Sequence, residues 1–182
     1  MSTDRGATLL ALARGAIAEA FGESAPVYEA AAWLDEPGAT FVTLTRHGEL
    51  RGCIGSLTAE RPLREDVASN ARAAAFHDPR FAPLAPREYS GIEVEVSLLS
   101  PLQPLTFQSE AELLAQLRPG VDGLVFEHGR RRGTFLPQVR EQLPEPHDFL
   151  AHLKRKAGLP ADFWTHDIKV SRYSVNKWRE SE

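Results

Sequence analysis

The sequence contains a single cysteine and a single methionine, and no uninterrupted apolar run long enough to cross a membrane. A lone thiol, Cys53, excludes an internal disulfide and any zinc or iron-sulfur centre built from several cysteines of one chain. A reducing cytosol suits such a chain. The longest apolar stretch, Ala7 to Phe21, is interrupted by Arg14, Gly15 and Glu19, so it matches neither a signal-peptide core nor a membrane span. The expectation is a soluble, unprocessed, cytoplasmic protein. Phosphate-cradling glycine loops and a Gly-x-Ser-x-Gly elbow are also absent. His147 and His152 miss the i, i+4 spacing of a helical metal pair, and no further His or Cys completes a ligand set, so neither a metal nor a cofactor is expected.

What is there is ordinary globular composition: 182 residues, 42% hydrophobic and 25% charged, with 13 Gly and 13 Pro. A chain of this length buries roughly 70% of its unfolded surface in one core, so residues 1–182 read as a single domain. Net charge is −4, unevenly spread. Residues 1–127 carry 10 basic and 18 acidic side chains, whereas residues 128–182 carry 11 and 7. The basic end suits an anionic partner on one face, but the overall charge speaks against unspecific nucleic-acid binding. The three tryptophans, Trp33, Trp164 and Trp178, are scattered and form no stacking platform for RNA.

Periodicity gives the elements. Leu9, Ala13, Ala16, Ile17, Ala20 and Phe21 make one apolar helical stripe ending at Gly22. Ala39 to Thr45 and Glu49 to Ser56 read as a hairpin turning at His47-Gly48. A helix is predicted from about Arg61 to His77, stopped by Asp78-Pro79. Gly91 to Leu99 alternates cleanly, with Glu93, Glu95 and Ser97 on its polar face. Ser109 and Glu112 form a capping box for a short helix. Gly123–Glu127 and Arg132–Leu136 read as a second hairpin turning at His128-Gly129. Pro137 opens a helical turn, Pro146 a helix that stops at Gly158, and Ile168–Val175 a final strand. The fold class is therefore α+β (mixed α/β), with a partly antiparallel sheet and flanking helices.

The most unusual segment is Leu50-Arg51-Gly52-Cys53-Ile54-Gly55-Ser56, where two glycines flank the only thiol within a strand. Glycine weakens a strand and marks positions where another backbone or a ligand comes close, so Gly52 and Gly55 are candidate binding positions. Strand alternation puts Arg51 and Cys53 on one face, roughly 6.6 Å apart at Cα, where a guanidinium favours the thiolate. Against this stands the habit of free cysteine to fill cores. Glu93 and Glu95 are a candidate carboxylate pair, unless their face is simply solvated. His77 is a candidate base for the thiol if the fold brings the two together. Asp78 and Arg80 sit in the following chain reversal, as ligand contacts or as local hydrogen bonders. The basic runs Arg130–Arg132 and Lys154–Lys156 suit a hairpin turn and a helix C-terminus.

These residues resemble the AMMECR-type domain, named AmmeMemoRadiSam system protein A in prokaryotes. The hallmark is Leu50-Arg51-Gly52-Cys53-Ile54-Gly55, joined by Phe41-Val42-Thr43-Leu44, Asp78-Pro79-Arg80-Phe81, Glu93-Val94-Glu95-Val96-Ser97, Asp122-Gly123-Leu124, Leu136-Pro137-Gln138-Val139 and the Phe149-Leu150 to Lys156-Ala157-Gly158-Leu159 block. The resemblance covers nearly the whole chain and implies one compact unit of two subdomains, with the Arg-Gly-Cys-Ile-Gly segment near a groove between them. It further implies a prokaryotic setting beside a Memo-like protein and a radical S-adenosylmethionine enzyme. The catalytic candidates are Cys53, Arg51, Glu93, Glu95 and His77; the candidate contacts to an unidentified small ligand are Gly52, Gly55, Asp78, Arg80 and Gln138. The competing readings are a non-catalytic binding module for those partners and, least supported, an RNA or nucleic-acid binder.

Overall fold

The computed structural model describes residues 4–181. Helix α1 (Arg5–Ala20) starts where the Asp4 carboxylate accepts the Gly6 N–H at 3.0 Å and ends before Gly22, whose φ of +70° stops it. Strands β1 (Thr40–Arg46) and β2 (Glu49–Gly55) follow, then α2 (Leu63–Phe76), a 3-10 turn (Pro86–Gly91) and β3 (Ile92–Leu99). Next come β4 (Gln103–Pro104), α3 (Glu110–Gln116), β5 (Gly123–His128), β6 (Arg131–Phe135), a 3-10 turn (Pro137–Glu141) and α4 (Pro146–Lys156). Strands β7 (Lys169–Tyr173) and β8 (Val175–Arg179) complete the order. The class is mixed α+β, with two four-stranded sheets.

The chain divides into two compact units, the first running to Leu99 and resuming at Asn176, the second spanning Ser100–Val175. In the first, the strand order is β2-β1-β3-β8. Val42, Leu44, Val94 and Val96 point to one face of this sheet and pack with Leu9, Ile17, Val67 and Ala71 of α1 and α2, all essentially inaccessible. Burying each leucine or valine contributes about 1.5–3 kcal/mol. In the second, the order is β4-β7-β5-β6, and Leu124, Phe126 and Val170 pack with Leu113 of α3 and Phe149, Leu150 and Leu153 of α4.

Two expectations need correction. The second hairpin turns at Gly129-Arg130, with His128 opposite Arg131, one residue later than His128-Gly129. The first loop has positive φ at both central residues, His47 (+54°) and Gly48 (+79°), whereas the second needs it only at Gly129 (+58°). A glycine at the first central position suits a type II′ loop and leaves Arg130 an ordinary conformation. The final strand is also two strands in two sheets: β7 pairs with β5 and β4, and β8 takes the edge beside β3. The apolar period across residues 168–175 does not register that break.

Candidate functional site

Strand β2 is an edge strand, and its register decides what surrounds Cys53. Leu44 pairs with Gly52 but Thr45 with Leu50, so a β-bulge at Arg51 shifts the pairing by one residue. Thr43 thereby comes opposite Cys53, with its Oγ1 3.3 Å from the sulfur. The outer, unpaired backbone groups of Cys53 are both engaged. Its N–H donates to Asp78 Oδ2 at 3.0 Å, and its carbonyl accepts from Arg80 Nη2 at 3.4 Å. Asp78 and Arg80 form an ion pair at 2.7 Å, so one carboxylate-guanidinium pair does the work of a neighbouring strand. Asp78 is buried, and the bonds from Arg80, reinforced by the N–H groups of Cys53 and Arg80, hold its pKa far below the usual carboxylate range. Cys53 as a residue stays partly accessible.

Arg51 turns away from the thiol to Glu88, donating from Nε at 3.2 Å and Nη2 at 3.1 Å, and Arg46 reaches the same carboxylate at 3.1 Å. The Arg51 hydrogen bonds lower the Glu88 pKa from 4.5 to about 2, with the Ala85 N–H adding to the effect. The guanidiniums of Arg51 and Arg80 lie 5.9 and 5.4 Å from the centre of the Phe81 ring. Arg80, paired with Asp78, thus lies against the Cys53 backbone, while Arg51 and Arg46 share Glu88. The glycines serve close packing. A Cβ on Gly52 would sit 2.0 Å from the Ala74 carbonyl oxygen of α2, and one on Gly55 would sit 2.2 Å from the Phe41 ring.

The remaining sequence candidates are dispersed. Glu95 lies on the same rung as Cys53, but with Thr43 between them, so two strand spacings, roughly 9.6 Å, separate their Cα atoms. Glu93 and Glu95 share Arg179 of β8, at 3.5 and 2.6 Å. His77 is exposed at the end of α2, and its ring has no hydrogen-bond partner among the described residues. Gln138 is exposed in the 3-10 turn of the second unit. The basic runs are largely engaged within that unit. Arg131 donates to the Gly158 carbonyl, Arg132 meets Glu127, and Lys156 donates to the Thr134 carbonyl. Lys154 is fully buried, 3.3 Å from Glu110 in an ion pair without hydrogen-bond geometry, and 5.5 Å from the centre of Trp164.

Sequence reasoning missed Thr43 and Glu88. It also missed a buried cluster beside β2: Asp66 accepts from Thr40 N and Oγ1, Ser56 Oγ, Arg61 Nε and Asn70 Nδ2, at 2.6–3.0 Å. Asp66 and Asn70, one turn apart on α2, were the available signal. Among the described residues, no three His, Cys, Asp or Glu side chains are grouped to hold a metal, and no helix is long and apolar enough to cross a membrane. Chemically, the arrangement offers a partly accessible cysteine on a pinned backbone, a hydroxyl beside its sulfur and one guanidinium on its carbonyl.

A family model described as AMMECR1 matches residues 10–178. A protein from Methanothermobacter thermautotrophicus is 39% identical over 185 residues, covering 99% of this chain and 96% of that protein. A protein from Thermofilum pendens is 38% identical over 197 residues, covering 100% and 92%. The crystal structure of an uncharacterized protein from Pyrococcus horikoshii superposes with a TM-score of 0.83 at 35% identity, covering 99% of this chain and 93% of that one.

Proposed function

The chain belongs to the AMMECR1 family, and we propose that it is a catalytic or ligand-handling protein that works through the surface around Arg51–Gly55, with Cys53 as the contacting or reacting group. The observation that carries this reading is the pinning of Cys53 by the Asp78–Arg80 pair. A buried carboxylate is a costly way to close one rung of an edge strand, and it fixes the backbone that carries the thiol while the residue stays partly accessible. The Arg80 guanidinium against it suits an anionic or polar small ligand. Within this reading, a Memo-like protein and a radical S-adenosylmethionine enzyme are the proposed partners, supplying or consuming that ligand in the cytoplasm.

A non-catalytic binding role is the second reading, favoured by the sulfur's immediate partner. Thr43 offers a hydroxyl and no base, and among the described residues His77 has no hydrogen-bond partner that would orient it as one. A nucleic-acid role draws least support, because Lys154, Lys156 and Arg131 are held by contacts within their own unit.

One experiment separates these readings. The purified chain and its Cys53→Ala variant are incubated with the small-molecule fraction of a prokaryotic cell extract and analysed by native mass spectrometry. A mass increment on the wild type that is absent from the variant supports chemistry at the thiol. An increment retained by Cys53→Ala but lost in Arg80→Gln supports binding alone. No increment on the wild type, or one indifferent to both changes, overturns the reading.

A further inference from the structure

The second unit contains a cavity of about 360 Å3, whose lining includes Pro101, Leu102, Arg118, Arg172 and Ser174. Two of these side chains are guanidiniums, and the carboxylate that holds them, Asp122, is buried. Arg118 and Asp122 flank a tight turn that closes through Gly120, with the Val121 and Asp122 N–H groups bonded back to the Arg118 carbonyl. Asp122 accepts from the Arg118 backbone N–H at 2.9 Å, from Nε at 3.1 Å and from Nη2 at 2.7 Å. Arg172, on β7, approaches the other side of the carboxylate at 3.9 Å, too far for a hydrogen bond, and its Nε meets Gln103 at 3.4 Å. Two positive charges thus share one negative charge. Among the described residues, both Nη groups of Arg172 and the Nη1 group of Arg118 are left without hydrogen-bond partners.

We propose that this cavity is a binding site for a small oxyanion, a carboxylate or phosphate group held between Arg118 and Arg172, with the rest of the ligand against Pro101 and Leu102. Guanidinium forks bind planar and tetrahedral oxyanions through paired N–H donors, and here one fork is already oriented by a buried carboxylate. The surplus charge is one positive, which a singly charged oxyanion neutralises. Leu102 is 37% exposed and adjoins the donors, giving the site an apolar wall next to its charged one. A cavity of this size falls at the small end of ligand sites, right for a metabolite and too small for a large cofactor. The proposal is independent of Cys53 and concerns a different set of residues.

The test is titration of the full chain with inorganic phosphate and, separately, with benzoate, at constant ionic strength, followed by nitrogen-15 NMR of the arginine Nε–H and backbone amide signals. Saturable shifts are expected at Arg118, Arg172 and residues 100–103. Arg172→Gln should weaken binding about tenfold, the loss of one charge-assisted contact, while Arg155→Gln, an exposed cation elsewhere, should leave it unchanged. Arg172 is the residue to remove because Asp122 keeps every hydrogen bond it has from Arg118, so the fold is preserved, and an unchanged amide spectrum away from the cavity verifies this. Tighter benzoate than phosphate binding identifies a carboxylate ligand, and the reverse a phosphate ligand. Non-saturating shifts, shifts spread over all basic residues, or equal affinity in wild type and Arg172→Gln overturn the proposal.

Discussion

The two hairpins solve the same packing problem and differ in what they hold. In each, a glycine on the edge strand lets a helix approach: Gly52 of β2 faces the Ala74 carbonyl of α2, and Gly133 of β6 faces the Ala157 backbone at the end of α4. The next residue differs. Thr134 bonds its hydroxyl to Tyr173 at 3.1 Å, and its carbonyl takes a single lysine, Lys156. Cys53 stays partly accessible, its sulfur beside the Thr43 hydroxyl, while a buried carboxylate and a guanidinium occupy its N–H and its carbonyl. Gly52 therefore belongs to a helix-docking device that recurs without any thiol. What is particular to the first hairpin is Cys53, the bulge that brings Thr43 beside it, and the Asp78–Arg80 pair.

The sharpest way to break this comparison is to add a methyl group at each glycine. Gly52→Ala places its Cβ 2.0 Å from a backbone oxygen, so the helix must move, and urea unfolding should show a loss of about 3 kcal/mol or more. Gly133→Ala meets its neighbours at 3.0–3.2 Å and should cost about 1 kcal/mol. Equal costs would contradict the closer approach of α2 at Gly52. Next in size is Asp78→Asn, which strips a buried pair of its charge while half of Arg80 remains in solvent; about 2 kcal/mol is expected in the same assay. Lys156→Met, removing an exposed cation from the other edge, should cost less than about 1 kcal/mol.

Acid treatment sharpens the contrast further. Glu88 is held down from 4.5 to about 2, and Asp78 is lowered as well, so their pairings stabilise the fold fully above about pH 4.5 and are lost as pH falls toward 2. Glu88→Gln should flatten the acid limb of a stability profile recorded by urea unfolding from pH 6 to pH 2, and an unaltered limb would contradict the pairing. The smallest effect lies in the loops. His47 sits at positive φ, where asparagine is better suited, so His47→Asn should raise stability by about 0.5 kcal/mol, whereas Arg130→Asn should not.

Most elements were legible because apolar period and cap residues are local: α1 with Gly22, α2 before Asp78-Pro79, β3 by alternation, and α4 before Gly158. Of the candidate residues, Cys53, Asp78 and Arg80 come together, and Arg51 lies beside them on Glu88. Thr43 was hidden for a definite reason. A regular two-residue loop pairing Arg46 with Glu49 would set Thr43 opposite Gly52, and only the bulge at Arg51 moves it to Cys53. Bulges leave no period to read. Glu88 reaches Arg51 across 37 residues, a separation no local pattern encodes. The second loop was misplaced because both His128-Gly129 and Gly129-Arg130 satisfy hairpin composition, and only the backbone dihedrals choose between them.

The most direct measurement is the rate at which iodoacetamide alkylates the single cysteine of the native chain across pH 6–9, read by mass spectrometry with unfolding monitored in parallel. A thiol held in an open position by Asp78 and Arg80 predicts stoichiometric labelling of the folded protein, with a changed rate in Asp78→Asn. Labelling that appears only when the protein unfolds would make Cys53 a packing residue and contradict the reading of this site.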